Sequence, residues 1–285
     1  MPVDKLKELV AANRAELRKL EDAQLAAINW GAAEAAFHQG MNYRAQAWQI
    51  LSRPFLSTFI ALDQPFLIWE LPNPETNVWI DTHVEPLNSF VKFEVITKSG
   101  ADSTSFVFYF IWTNASDFAA VINVDTSLVL SGLCQVLADG GVLRGHTNSI
   151  TLQANLQLVR WFGWGVDPVT GASNDQTPFP FPQSTQSQKI AQLSQYGGDW
   201  FDDPSGDNER TFVFQPFALS CDLVPIPPRA SMLFEVSLMS SYGTEDGGGG
   251  DGDRIAIDFA QDKFARRLIC PALQIELLTP APTLG

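Results

Sequence analysis

The sequence predicts a mainly β protein, an antiparallel β-sandwich of jelly-roll type that follows an N-terminal helical arm. After Pro54, short apolar and aromatic runs alternate with turn residues, which is the spacing of strands and turns. The 20 Phe and 8 Trp residues favour strands. Only one long stretch, residues 4–28, is rich in helix-forming residues and free of Pro and Gly. Many strands without intervening helices indicate a sandwich or a barrel.

The helical arm is predicted over residues 1–52. Its apolar side chains follow heptad-like spacing, with Leu6, Val10, Leu17 and Leu20 on one stripe. Such a stripe pairs helices between subunits, so these four are the predicted assembly residues. The same stripe also suits packing on the chain's own β-domain as an ordinary amphipathic helix.

Residues 53–285 are predicted to form the β-sandwich domain. Alternation of apolar and polar residues is clearest around Phe93, Phe234 and Ile275, which indicates strands with one wet face. The run from Phe106 to Trp112 is apolar throughout and predicts a central strand that is covered on both faces. We predict strands near 56–62, 66–71, 77–85, 90–98, 105–113, 118–124, 127–138, 148–162, 210–222, 231–242, 253–259 and 266–279.

Two loops are predicted to be longer than ordinary turns. One spans residues 163–209 and is rich in Gly, Pro, Gln and Ser; the other is a Gly-rich acidic loop over 242–253. The first contains aromatic residues that suit stacking on a sugar or contact with another subunit. The predicted binding residues are Phe179, Phe181, Trp200 and Phe201.

Charge and cysteine content narrow the possible partners. A net charge of −14 and a pI near 4.5 disfavour binding to nucleic acid or to anionic membranes. Cys134, Cys221 and Cys270 lie far apart in apolar stretches and are expected to be buried, with no disulfide framework or zinc site. No signal peptide and no apolar run of about 18 residues is visible, so we expect cytoplasmic synthesis, with release as part of a particle.

No common catalytic motif is found in the sequence. Phosphate loops, dinucleotide fingerprints, HExxH and GxSxG are absent, and His38, His83 and His146 are expected to be solvated or hydrogen-bonded side chains. A glycosidase would need only two carboxylates across a cleft. The strand residues Glu94, Glu235 and Glu276 are the candidates for that role, and solvent-facing positions are the simpler interpretation.

Calcium is weighed at two acidic segments because Asp and Glu oxygens suit this ion. Neither segment has the spacing of a known calcium loop, so we predict no metal and no cofactor. The segments contain Asp202, Asp203, Asp207, Asn208 and Glu209, and then Asp246, Asp251 and Asp253.

The sequence therefore favours a non-enzymatic structural protein that assembles with itself into a homo-oligomer, shell, tube or phage-like particle. The alternative is a carbohydrate-binding β-sandwich module, assisted by calcium, with a glycan as its partner. A glycoside-active enzyme that uses two strand glutamates is the third hypothesis.

Overall fold

A computed structural model describes most of the region that follows the predicted arm. The described residues are 55–71, 89–97, 101–138, 146–161, 181–198, 206–226, 229–245, 253–261 and 265–280. The predicted helical arm, residues 1–52, lies outside them. None of the described residues belongs to a helix that is long and apolar enough to cross a membrane.

The described residues form antiparallel strands, as the alternation of the sequence predicts. The strands are β1 (Phe55–Leu62), β2 (Leu67–Leu71), β3 (Phe90–Val91), β4 (Glu94–Thr97), β5 (Ala101–Thr113), β6 (Ala120–Ala138), β7 (His146–Trp161), β8 (Phe181–Gly197), β9 (Gly206–Ile226), β10 (Ser231–Glu245), β11 (Arg254–Asp258), β12 (Arg267–Ile269) and β13 (Leu273–Pro280).

The first sheet is built around β6, a strand of 19 residues. One edge of β6 pairs with β9 over its whole length. The other edge pairs in turn with β13, β12 and β11. The sheet continues beyond these three strands: β1 pairs with β13, β3 with β12 and β4 with β11, each pair antiparallel.

The second sheet has the order β2-β5-β10-β7-β8, again with antiparallel neighbours throughout. The two sheets pack face to face as a β-sandwich. Strands β8 and β9 close one side of it, because the Arg210 guanidinium donates to the Ile190 carbonyl at 2.7 Å and the Asn208 amide donates to the Ser194 carbonyl at 3.2 Å.

The main core lies between the sheets and is rich in phenylalanine. Phe93 stacks on Phe259 at 5.1 Å between ring centroids and lies 4.4 Å from Phe106. Phe212 approaches Phe259 at 6.0 Å. All four rings are buried, so the aromatic residues that favoured strands in the sequence also fill the sandwich.

Strand β5 is covered on both faces, which confirms the prediction made from its continuous apolar run. Phe106, Phe108 and Phe110 face the main core, whereas Val107 and Tyr109 belong to a second buried cluster on the other face. That second cluster also contains Val159 and Leu233, and Phe66, Leu67 and Trp69 pack against it.

The predicted loop over 163–209 is wrong in its second half. Residues Phe181–Gly197 form β8, and β9 already begins at Gly206. Strand β8 is a sheet edge whose outward side chains are mostly Gln, Ser and Thr, so it lacks the apolar alternation of an ordinary strand. Among the β8 residues whose side chains are described, Ile190, Ala191 and Leu193 join the core.

Other boundaries also differ from the prediction. Segments 118–124 and 127–138 form one strand, β6, because Asp125 lies on its outer face and does not mark a turn. Segments 90–98 and 266–279 each break into two strands. The segment predicted near 77–85 lies outside the described residues, as does 246–252 of the acidic loop.

Candidate functional site

Most of the predicted site residues fall outside the described part of the chain. Phe181 is the first residue of β8, where its backbone pairs with Arg160. The residues outside are Leu6, Val10, Leu17, Leu20, Phe179, Trp200 and Phe201.

The three strand glutamates do not form a glycosidase pair. Glu276 pairs with Asn123 of β6, whereas Glu94 lies beside Asp258, which pairs with Leu133. Asn123 and Leu133 are ten residues apart along β6, which corresponds to about 33 Å at 3.3 Å per residue. The two catalytic carboxyl groups of a glycosidase are at most roughly 9.5 Å apart. Glu235 is in the second sheet and is buried, which contradicts the solvent-facing position expected for it.

The acidic segments considered for calcium do not bring their described side chains together around one point. Asp207, Asn208 and Glu209 lie in β9 and pair with consecutive residues of β6, so neighbouring side chains alternate between faces. The Asp253 carboxylate is hydrogen-bonded to His146. The described residues contain no group of three or more potential metal ligands.

A buried pair, His146 and Asp253, joins the two sheets at one end of the sandwich. The Nε2 atom of His146 lies 2.7 Å from each carboxylate oxygen of Asp253, and the two side chains are 1% and 0% exposed. His146 begins β7 of the second sheet, and Asp253 directly precedes β11 of the first. The hydrogen-bonded alternative predicted for His146 is therefore confirmed, and the solvated one is wrong.

A β-bulge places large apolar side chains on the outside of the first sheet. The register of β6 and β9 shifts between Leu130 and Gly132, which gives β9 one extra residue there. Val213 is 77% exposed and Phe214 is 48% exposed. Phe214 has φ of 45°, a conformation that costs a residue with a Cβ about 1 kcal/mol or more. We call Val213 and Phe214 the bulge patch.

A second exposed apolar segment is the edge strand β1. Its sequence, FLSTFIAL, has no charged residue, proline or glycine. Residues 56–59 are all exposed, with Leu56 at 54% and Phe59 at 74%. It pairs with β13 through eight residues, and its other edge carries no strand in the part of the chain that the structure describes.

The turn after β1 borders a shallow cleft of about 370 Å³. None of the predicted binding residues lines it. Its walls are Ala61, Leu62, Asp63, Gln64, Phe66 and Ile111.

A hydrogen-bonded polar row crosses the outer face of the first sheet near β1. The Asn123 amide donates to the Glu276 carboxylate at 2.7 Å, and the Ser57 hydroxyl donates to the same carboxylate at 2.5 Å. The side-chain amide oxygen of Asn123, Oδ1, accepts a hydrogen bond from the Leu223 backbone N–H at 2.8 Å. The hydrogen bonds from Ser57 and Asn123 lower the pKa of Glu276.

Asp125 lies near this row, and its pKa is shifted in the opposite direction to that of Glu276. Burial raises the pKa of Asp125, and the negative charges of Asp222 and Glu276 raise it further. The charged form of Asp125 is therefore less favourable in the folded chain than in the unfolded chain. We expect Asp125→Asn to raise the melting temperature at pH 7 by about 1–2 °C.

The sign of this effect follows from proton binding. A raised pKa in the folded state destabilises the fold above the ordinary value of 3.8, so the gain from Asp125→Asn should vanish as the pH falls towards that value. Glu276→Gln is the matched control. Because the pKa of Glu276 is lowered, its charge stabilises the fold above 4.5, and its replacement should lower the melting temperature at pH 7. Equal signs for the two variants at pH 7 would contradict this account.

Comparison with known proteins reveals no family. No protein-family model and no curated protein matches the chain. Similar solved structures include TmCBM61 in complex with β-1,4-galactotriose, with 10% identity and a TM-score of 0.21. Others are the enzymatically active domain of bacteriophage CBA120 tailspike protein 4, with 9% identity and a TM-score of 0.21, and the Gx strain of infectious bursal disease virus, with 9% identity and a TM-score of 0.19.

The three alignments cover 71%, 72% and 81% of this chain in that order. They cover 83%, 18% and 37% of the other chains, so this chain spans well under half of the last two. Scores near 0.2 do not amount to a shared fold, and the architecture rests on the chain's own strand pairing.

Proposed function

We propose that the sandwich is a jelly roll, on the basis of how its eight main strands pair. These strands are β1, β5, β6, β7, β8, β9, β10 and β13. In that order the first pairs with the eighth, the second with the seventh, the third with the sixth and the fourth with the fifth. Nested antiparallel pairs of this kind arise when one long hairpin ribbon wraps around a core, as in a jelly roll with its two Greek keys.

We further propose that the chain is a non-enzymatic structural protein that assembles with copies of itself. The observation that carries this proposal is the bulge patch. A single exposed apolar residue is ordinary on a protein surface. Here a bulge directs two adjacent large side chains outward, and one of them holds an unfavourable backbone conformation. Backbone strain of this kind clusters at functional sites, and a subunit interface would bury both side chains.

The potential nucleophiles of the described residues support the non-enzymatic part of the proposal. Burial raises the pKa of the Cys134 and Cys270 thiols to about 12, so neither is a thiolate at neutral pH. Cys221 is also buried. The His146 ring is enclosed with Asp253 and is out of reach of a solvent-borne substrate.

The helical arm is the second contact in this proposal. Leu6, Val10, Leu17 and Leu20 would pair with the same stripe of a neighbouring subunit, so that the arm links jelly rolls into an oligomer, shell, tube or phage-like particle. Assembly after synthesis in the cytoplasm, and release as part of that particle, belong to the same proposal.

Size measurement tests the proposed assembly. We expect light scattering coupled to size exclusion to give a mass well above that of the 31.4 kDa chain. The double variant Val213→Ser, Phe214→Asn should weaken assembly at least tenfold, because it removes both apolar side chains while Asn tolerates the positive φ. Phe118→Asn, at an equally exposed residue in a turn, is the matched control and should keep the native mass.

A clean monomer at tens of micromolar for the wild-type chain would contradict this proposal and favour a glycan-binding module. One described residue fits that second candidate: Tyr196, near the end of β8, has an exposed ring that could stack on a sugar. It lies close in sequence to Trp200 and Phe201, which are predicted to bind in the same way.

A further inference from the structure

We infer that the open edge of β1 pairs antiparallel with β1 of a second copy, so that the first sheets of two subunits join across a two-fold axis. This contact rests on the proposed self-assembly and names one of its interfaces. It is separate from the bulge patch, which lies on β9, two strands beyond β13 in the first sheet.

The edge of β1 lacks the features that normally keep strand edges apart. Exposed edges are usually guarded by charge, proline, short length or a covering element. Among the described edge strands, β2 and β4 carry Glu70 and Glu94, and β3 has only two residues. Strand β8 contains Pro182 and Lys189 and faces β9. Strand β1 has eight residues and none of these guards.

The row of backbone groups on this open edge requires an extended strand as its partner. The eight residues from Phe55 to Leu62 lie in register with β13. In an antiparallel pair every second residue directs its N–H and C=O at the partner strand, so the residues between them direct theirs at the open edge. Phe59 and Leu56 add exposed apolar area beside those groups. A strand from another chain would satisfy the backbone and cover both side chains.

The lack of charge on β1 makes this strand complementary to itself, and this points to a second copy as the partner. The chain carries a net charge of −14, so two copies repel each other over most of their surfaces. All β1 side chains are apolar or carry a hydroxyl, and an antiparallel β1 partner therefore never places like charges opposite each other.

The nearest carboxylates in the sheet also stay apart in this arrangement. Glu276 lies on β13, and the two Glu276 side chains would be separated by both copies of β1. Three strand spacings amount to about 14 Å, which exceeds the Debye length of about 8 Å at physiological salt. A two-fold contact satisfies these conditions with the same surface on both subunits.

Opposite charges placed on the edge provide the test. Thr58 lies near the middle of β1, is exposed and pairs with the uncharged Leu277. Thr58→Glu and Thr58→Lys are each expected to weaken association at least tenfold, measured as mass by light scattering over a concentration series. An equimolar mixture of the two variants should restore the wild-type mass, because each Glu strand then meets a Lys strand. Thr185→Glu, at an exposed threonine of β8, is the matched control and should change nothing.

Each other outcome overturns the pairing in a recognisable way. If the wild type is a monomer, both the assembly and this contact are wrong. If the wild type assembles and Thr58→Glu keeps its full mass, only the β1 contact is wrong. An unchanged mass with a lowered melting temperature means that a segment of the same chain covers β1. Failure of the mixture to restore the mass, with both variants showing native circular dichroism, also excludes the two-fold pairing.

Discussion

Replacing Gly132 with alanine is expected to cost about 3 kcal/mol of folding stability, near the upper end for overpacked cores. A Cβ on Gly132 would clash with Cδ1 of the Phe259 ring and would lie 2.5 Å from the backbone carbonyl oxygen of Asp258. Phe259 is fully buried between Phe93 and Phe212, and Asp258 is held in the ladder with Leu133. Neither neighbour can move without disturbing the sheet or the core.

Urea unfolding measures this loss through the midpoint, provided that the slope stays constant. For a domain of this size each kcal/mol corresponds to about 2–4 °C, so the melting temperature should fall by about 6–12 °C. A second variant combines Gly132→Ala with Phe259→Leu. When this double variant is compared with Phe259→Leu alone, Gly132→Ala should cost less stability than it does in the wild type, because the ring atoms that clash are gone. A loss below about 0.5 kcal/mol for the single variant would contradict the steric account.

The strands with one buried and one wet face could be predicted from the sequence. In β13 the apolar residues alternate with polar ones, and the side-chain period of two translates directly into two faces. The wet face predicted for the strand around Phe234 is wrong, because residues 231–236 of β10 are all buried and Leu233 belongs to the second buried cluster. The double burial of β5 was also readable, because five consecutive residues from Phe106 to Phe110 are apolar and none can face water without cost.

The strands that were missed or divided are those whose outer face is polar. Strand β8 reads as a loop because its outward residues are Gln and Ser, and its apolar residues are confined to a short segment around Ile190. Strand β6 reads as two strands because Asp125 and Thr126 resemble a turn. A local pattern cannot show that a neighbouring strand, here β9, supplies hydrogen bonds across the whole length.

The candidate sites depend on contacts between distant parts of the chain, which local patterns do not contain. His146 and Asp253 are 107 residues apart, and their pairing follows from the arrangement of the sheets. The bulge at Val213 and Phe214 arises from a register shift against β6. An uncharged run of eight residues was visible at β1, but only the sheet order shows that this run is an edge.

The pair His146–Asp253 should make a large contribution to stability, and Asp253→Ala is expected to cost about 3 kcal/mol. Both side chains are buried, and the Nδ1 atom of His146 has no hydrogen-bond partner among the described residues, so the Nε2 atom makes the only hydrogen bond of the ring there. Removal of the carboxylate leaves a buried imidazole without its hydrogen bond, and such a group costs its full desolvation penalty. Because the pair connects β7 to the start of β11, the loss also loosens the contact between the sheets.

The exposed pair Arg229–Asp117 is the matched control for this prediction. Its interacting nitrogen and oxygen atoms lie 2.8 Å apart, close to the 2.7 Å of the buried pair, but the side chains are 51% and 73% exposed. Water replaces such a contact readily, so Asp117→Ala should cost no more than about 0.5 kcal/mol. Asp253→Asn should fall between the two alanine variants, since its amide oxygen still accepts the bond from Nε2. Urea unfolding of the three variants at pH 7 gives the comparison. If Asp253→Ala costs no more than Asp117→Ala, the buried pair does not hold the sheets together, and the end of the sandwich is stabilised by packing alone.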